Sequence, residues 1–76
     1  MPSLPVISGR EARRAFEREG WAFDRQKGSH MMLTKPGARM TLSIPEHREL
    51  DRGLLRSLIR DAGMSVDEFH ALLMTK

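Results

Sequence analysis

The spacing of apolar positions is helical up to Gly20, alternating through Ile44, and helical again from Leu54 onward. Ser8 and Glu11 have the spacing of a capping box, in which the hydroxyl accepts from an orphan backbone N–H and the carboxylate reaches back to the cap residue. Ala12, Ala15 and Phe16 then share a face, and Gly20 supplies the left-handed residue on which helices commonly stop. A first helix is therefore predicted over about residues 9–19. Trp21 and Phe23 alternate with Ala22 and Asp24, the period of a strand with one buried face, and the pattern fades at Lys27 and Gly28. A second strand is predicted from Ser29 to Lys35, followed by Pro36 and Gly37 at the central positions of a type II turn. Met40, Leu42 and Ile44 alternate with Thr41 and Ser43 as a third strand before Pro45 removes a ladder donor.

Leu54, Leu55, Leu58, Ile59 and Ala62 fall on one face of a second helix ending at Gly63, with Arg56 and Arg60 on its outer side. A second capping box, Ser65 with Glu68, opens a third helix carrying Val66, Phe69, Leu72 and Leu73. The order α-β-β-β-α-α with short connections predicts an α+β fold, a three-stranded antiparallel sheet with helices on one face and the other face open to a ligand. Trp21 reads as a core anchor, and Met31, Met32 and Met40 as core filling. Because Met31, Met32 and Leu33 are all apolar, parity does not assign the preceding His30 to either face.

Length narrows the picture. With 76 residues the chain is expected to form one domain over 1–76, burying only about 60 per cent of its unfolded surface. Apolar residues at 39% and charged residues at 30% suit a globular fold rather than a disordered tail. The absence of cysteine excludes disulfides and thiolate zinc sites, and three scattered histidines make a poor metal set, so neither metal nor cofactor is expected. No stretch approaches the roughly 18 apolar residues of a membrane span, and Met1 to Pro5 carry no basic, apolar signal. A cytoplasmic protein with no membrane partner is the expectation.

Charge then points to a place. The net charge of +3 is small. However, Arg25, Lys27, Lys35 and Arg39 bracket His30 in a segment free of acids, which suits a polyanionic partner. Imidazole, with an unperturbed pKa of about 6.5, is the side chain that exchanges protons near neutrality, and cationic neighbours suit a phosphate ester. Lys27, Lys35 and Arg39 would hold phosphates, and Ser29 would bond a phosphate oxygen or cap its strand. His47, just beyond Pro45, would reach the same site to bind phosphate or assist proton transfer, or else is a simple loop histidine. His70, near the chain end, reads as a surface residue. Alone, the Gly28-Ser29-His30 string equally describes a histidine that merely occupies a strand.

Several stretches together resemble the HicA toxin family, small ribonucleases of toxin–antitoxin pairs. They are the helix leading into Gly20 and Trp21, the run Lys27-Gly28-Ser29-His30, the strand ending Ile44-Pro45-Glu46-His47, and Gly53 through Ser57 to Asp61-Ala62-Gly63. The resemblance implies a fold similar to a double-stranded-RNA-binding domain, endoribonuclease activity against mRNA, and neutralisation by a HicB-like antitoxin. The family's catalytic histidine corresponds to His30. Many relatives carry threonine after the glycine that matches Gly53, where this chain has Leu54.

Cleavage of RNA without a metal requires the 2′-hydroxyl to lose a proton as it attacks phosphorus and the leaving 5′-oxygen to gain one. Imidazole serves either role, contributing roughly 10²- to 10⁴-fold. A second proton-transfer group is not evident from the residues. The competing reading is a non-catalytic RNA-binding module that grips a duplex by shape and phosphate contacts, for which Arg48 and Arg52 would add a basic patch. A pure protein adaptor would leave the acid-free segment without a purpose.

Overall fold

The protein is described by a computed structural model over residues 4–75; Met1–Ser3 and Lys76 lie outside the described residues, and with them most of the stretch read above for a signal. Six elements follow in the expected order: α1 (Gly9–Arg18), β1 (Ala22–Lys27), β2 (His30–Thr34), β3 (Leu42–Pro45), α2 (Arg52–Asp61) and α3 (Val66–Leu73). The strands form one antiparallel sheet in the order β1-β2-β3, with the helices on one face. Among the described residues no helix is long and apolar enough to cross a membrane.

Local chemistry sets the helix limits. Both predicted capping boxes are closed: the Glu11 N–H donates to Ser8 Oγ at 3.1 Å and the Ser8 N–H to Glu11 Oε1 at 3.0 Å, while Glu68 and Ser65 repeat the exchange at 3.1 and 2.8 Å. Asp51 caps α2 by accepting from the Leu54 N–H at 3.1 Å. Where α1 stops, the Trp21 N–H donates back to the Phe16 carbonyl and the Gly20 N–H to Glu17, the paired bonds of a Schellman end.

The core lies between sheet and helices. Met31, Leu33, Leu42 and Ile44 from the sheet meet Phe16, Leu55, Ile59 and Phe69, and the Phe16 and Phe69 rings stand 4.9 Å apart in a tilted pair. Leu4, Ile7 and Leu50, outside any element, are also buried, and the Leu50 N–H donates to the Ile7 carbonyl at 2.7 Å. Gly9 begins α1 hard against Pro45, whose carbonyl a Cβ at position 9 would strike. Trp21 is a core residue, as expected from its position.

Four apolar expectations differ, and one is Met32, which alternation with the buried Met31 and Leu33 turns to the sheet face away from the helices, half-buried and outside the core. β1 is exposed throughout, because it is an edge strand and the helices lie against β3. Phe23, expected to be buried, stays 39% exposed, and the Arg13 guanidinium covers its ring at 4.3 Å from the centroid. Met40 is exposed because pairing of β2 with β3 ends at Leu33 and Leu42, leaving it in the connecting loop. Leu54 sits about 100° around the helix from Leu55, outside the arc that meets the sheet, and is also exposed.

A two-residue loop, Gly28-Ser29, joins β1 to β2 between the paired residues Lys27 and His30. Gly28 has φ of 60° and, among the described residues, no non-glycine residue has positive φ, so only the first central position is left-handed. That is the type II′ hairpin turn, whose twist matches the strands. Gly28→Ala meets no neighbouring atom within 4 Å. It is nevertheless expected to lower stability in urea denaturation by about 1–2 kcal/mol, the cost of a Cβ at positive φ.

A second prediction concerns α3. The backbone N–H of Ser65, and then its hydroxyl, hold the Glu68 carboxyl below its ordinary value. A carboxyl lowered in the folded state supports its helix above the ordinary glutamate range, and that support is lost as pH falls through the lowered value. Acidification should therefore fray the start of α3, followed by amide NMR shifts of Val66 to Phe69, and Glu68→Gln should abolish this acid step.

Candidate active site on the open face of the sheet

The side chains of β2 divide cleanly. Met31 and Leu33 are buried beneath the helices, so His30, Met32 and Thr34 take the opposite face, with His30 and Thr34 exposed. Cross-strand partners share a face, which places Lys27 directly across from His30 on one side and Pro45 on the other. His30 is the first residue of the central strand, at the end of the sheet where the Gly28-Ser29 turn delivers it.

A bulge decides which cations join it. Register shifts between Phe23 and Arg25, leaving Asp24 as the extra residue; beyond it Arg25 pairs with Met32 and Lys27 with His30. Were Asp24 instead paired in regular alternation from Ala22, Arg25 and Lys27 would turn to the helix side. The bulge thus puts two cations on the imidazole face. The displaced Asp24 accepts from Arg25 Nη1 at 2.9 Å, with both side chains solvent-exposed. Sequence reading placed Lys27 in the candidate set but left out Arg25, since nothing in the alternation marks Asp24 as the extra residue.

Glu46 fastens the turn. Its backbone N–H donates to the Ser29 carbonyl at 2.7 Å, and its Oε2 accepts from Arg10 Nε at 2.8 Å and Arg10 Nη2 at 2.7 Å. Gln26 Nε2 lies 3.4 Å from Glu46 Oε1 and 3.2 Å from the Gly28 carbonyl. One carboxylate therefore links α1, β1 and the loop after β3 around the residues preceding His30. Sequence reading also missed this role, which joins positions distant along the chain. His47 follows in the same loop with its side chain exposed, and its carbonyl accepts from the Gly9 N–H at 2.9 Å. His70 is half-buried near the end of α3 rather than fully at the surface.

Lys35 and Arg39 go elsewhere. Five strand steps separate Lys35 from His30, roughly 16 Å. Together with Trp21, Met40, Asp61 and Gly63, the two cations line a groove of about 440 Å³ between the β2–β3 loop and the end of α2. Lys35 is 3.7 Å from Glu19, and the Trp21 indole N–H is buried with no acceptor among the described residues. The fold brings Lys27, Gly28, Ser29, His30 and His47 to one end of the sheet and sets Lys35 and Arg39 at the other. No cluster of three or more metal-ligating side chains occurs among the described residues.

An exposed imidazole with an ammonium directly across the strand and a guanidinium one pair further on has the parts for proton transfer beside a phosphate. Comparison with curated proteins gives no match. The family described as HicA toxin of bacterial toxin-antitoxin matches residues 9–64, from the first turn of α1 past the end of α2, with the His30 face inside that span. By that match the chain belongs to the HicA toxin family, the toxins of bacterial toxin–antitoxin systems.

Proposed function

We propose that this toxin is an endoribonuclease that cleaves mRNA on the open face of its sheet, with His30 as the proton-transfer group, and that a HicB-like antitoxin neutralises it by covering that face. The supporting observation is the exposed His30 with Lys27 directly opposite. The 2′-hydroxyl gives its proton to the imidazole as its oxygen bonds phosphorus. The bond from phosphorus to the 5′-oxygen breaks, and that oxygen takes a proton from the imidazolium or from water. Lys27 and Arg25 stabilise the charge that builds on the phosphoryl oxygens, and Ser29 and the backbone at Gly28 border the same space. His47 assists by binding an adjacent phosphate. Lys35 and Arg39 meet RNA at the other end of the sheet, in the groove beside the end of α2, and one domain over 1–76 carries the whole activity.

His30→Ala is expected to lower single-turnover cleavage of RNA by roughly 10²- to 10⁴-fold and to relieve growth arrest when expressed in bacteria. Equal cleavage by variant and parent would remove His30 from the mechanism. Duplex RNA bound tightly but recovered intact from the parent would instead mark a non-catalytic RNA-binding module. Cleavage that persists in a chelator is expected, because the imidazole rather than a metal-bound water moves the proton.

A further inference from the structure

Arg48, Arg52, Arg56 and Arg60 recur at every fourth position, through the loop before α2 and along its whole length. On a helix this spacing stacks side chains about 6 Å apart along the axis, so Arg52 to Arg60 spans about 12 Å. All four are exposed, and among the described residues no carboxylate lies within ion-pairing distance of any of them. Of the other arginines, Arg10 is held by Glu46, Arg13 by Glu17, Arg25 by Asp24 and Arg18 by the Leu72 carbonyl, while Arg14 and Arg39, which form no row, have no carboxylate partner among the described residues. Like charges four apart work against a helix, so the row persists at a cost to α2. Glu49 and Asp51 interrupt the row in sequence without pairing with it, and Asp51 is committed to the cap of α2.

We propose that RNA engaged at His30 passes round the β3 edge of the sheet, against which α2 packs, and continues along α2, its successive phosphates held by this arginine row. This rests on the RNA reading above. Continuity supports it: Arg48 lies in the loop that begins with Glu46, whose N–H is bonded to the Ser29 carbonyl beside His30. Guanidinium forks match phosphate oxygens. A protein partner fits less well, since interfaces are anchored by apolar side chains, and the one large apolar residue exposed on α2, Leu54, projects from the opposite side of the helix.

The test uses full-length His30→Ala protein, which leaves the probe intact, and a labelled single-stranded oligoribonucleotide titrated by fluorescence anisotropy at several salt concentrations. Arg56→Gln with Arg60→Gln removes two positive charges from the row; Arg14→Glu removes the same net charge from an exposed, unpaired position on α1. The slope of log affinity against log salt should shrink by about 1.4 for the row variant, about 0.7 for each lost contact, and by less than half of that for Arg14→Glu. Equal changes in the two variants would reduce the row to net charge and overturn the proposal. An unchanged slope in the row variant would also overturn it and direct attention to a protein on this face. Cleavage by the parent chain is scored separately: a row-dependent slope without cleavage keeps the row and ends the nuclease reading, and cleavage with a row-independent slope does the reverse.

Discussion

Burial of Met31 and Leu33 is the constraint from which the rest of the molecule follows. Both side chains are withdrawn from water beneath the helices, each contributing about 1.5–3 kcal/mol of transfer free energy. In a strand this fixes their neighbours on the other side, so His30 and Thr34 have no choice but solvent. A slip of one residue would bury an imidazole and expose two apolar side chains. The glycine turn before His30 acts on the same variable from the other direction, since a two-residue loop fixes how β1 lies against β2. Core packing and turn chemistry thus agree on where the histidine points.

The surroundings of His30 are assembled from parts of the chain that share no local pattern. Arg25 and Lys27 arrive by way of a bulge, Pro45 by pairing with β3, and Arg10 through Glu46. These polar contacts are largely exposed, and surface ion pairs contribute only about 0–1 kcal/mol. Their effect is on geometry more than on stability. They brace the turn while the apolar layer behind it carries the fold.

Much of the architecture was legible because local rules and burial agreed. Ser8 with Glu11 and Ser65 with Glu68 marked two helix starts, Gly20 and Gly63 marked two ends, and alternation through Leu42 and Ile44 marked β3. The sequence was less informative where burial depends on what lies above a strand. Phe23 has the pattern of a buried residue, yet what lies over its ring is the Arg13 guanidinium rather than an apolar layer, and Leu4, Ile7 and Leu50 belong to no periodic run although the core closes over them. For the site, the residues of the Lys27–His30 run are adjacent in the fold as in the chain, so that part could be read directly. The separation of Lys35 and Arg39 from His30 could not, because closeness in sequence along an extended strand is distance in space.

The extra residue at Asp24 has an effect beyond the face it reorients. β1 forms an outer rim of the sheet, and a straight rim of unpaired amides is a template on which a second chain can add a strand. A kink midway along this one, set among Asp24, Arg25 and Lys27, spoils the regular spacing that such an addition needs. The β1 rim is thereby guarded against copy-to-copy stacking while the flat of the sheet stays bare, so the molecule keeps an accessible surface without becoming adhesive along that one border.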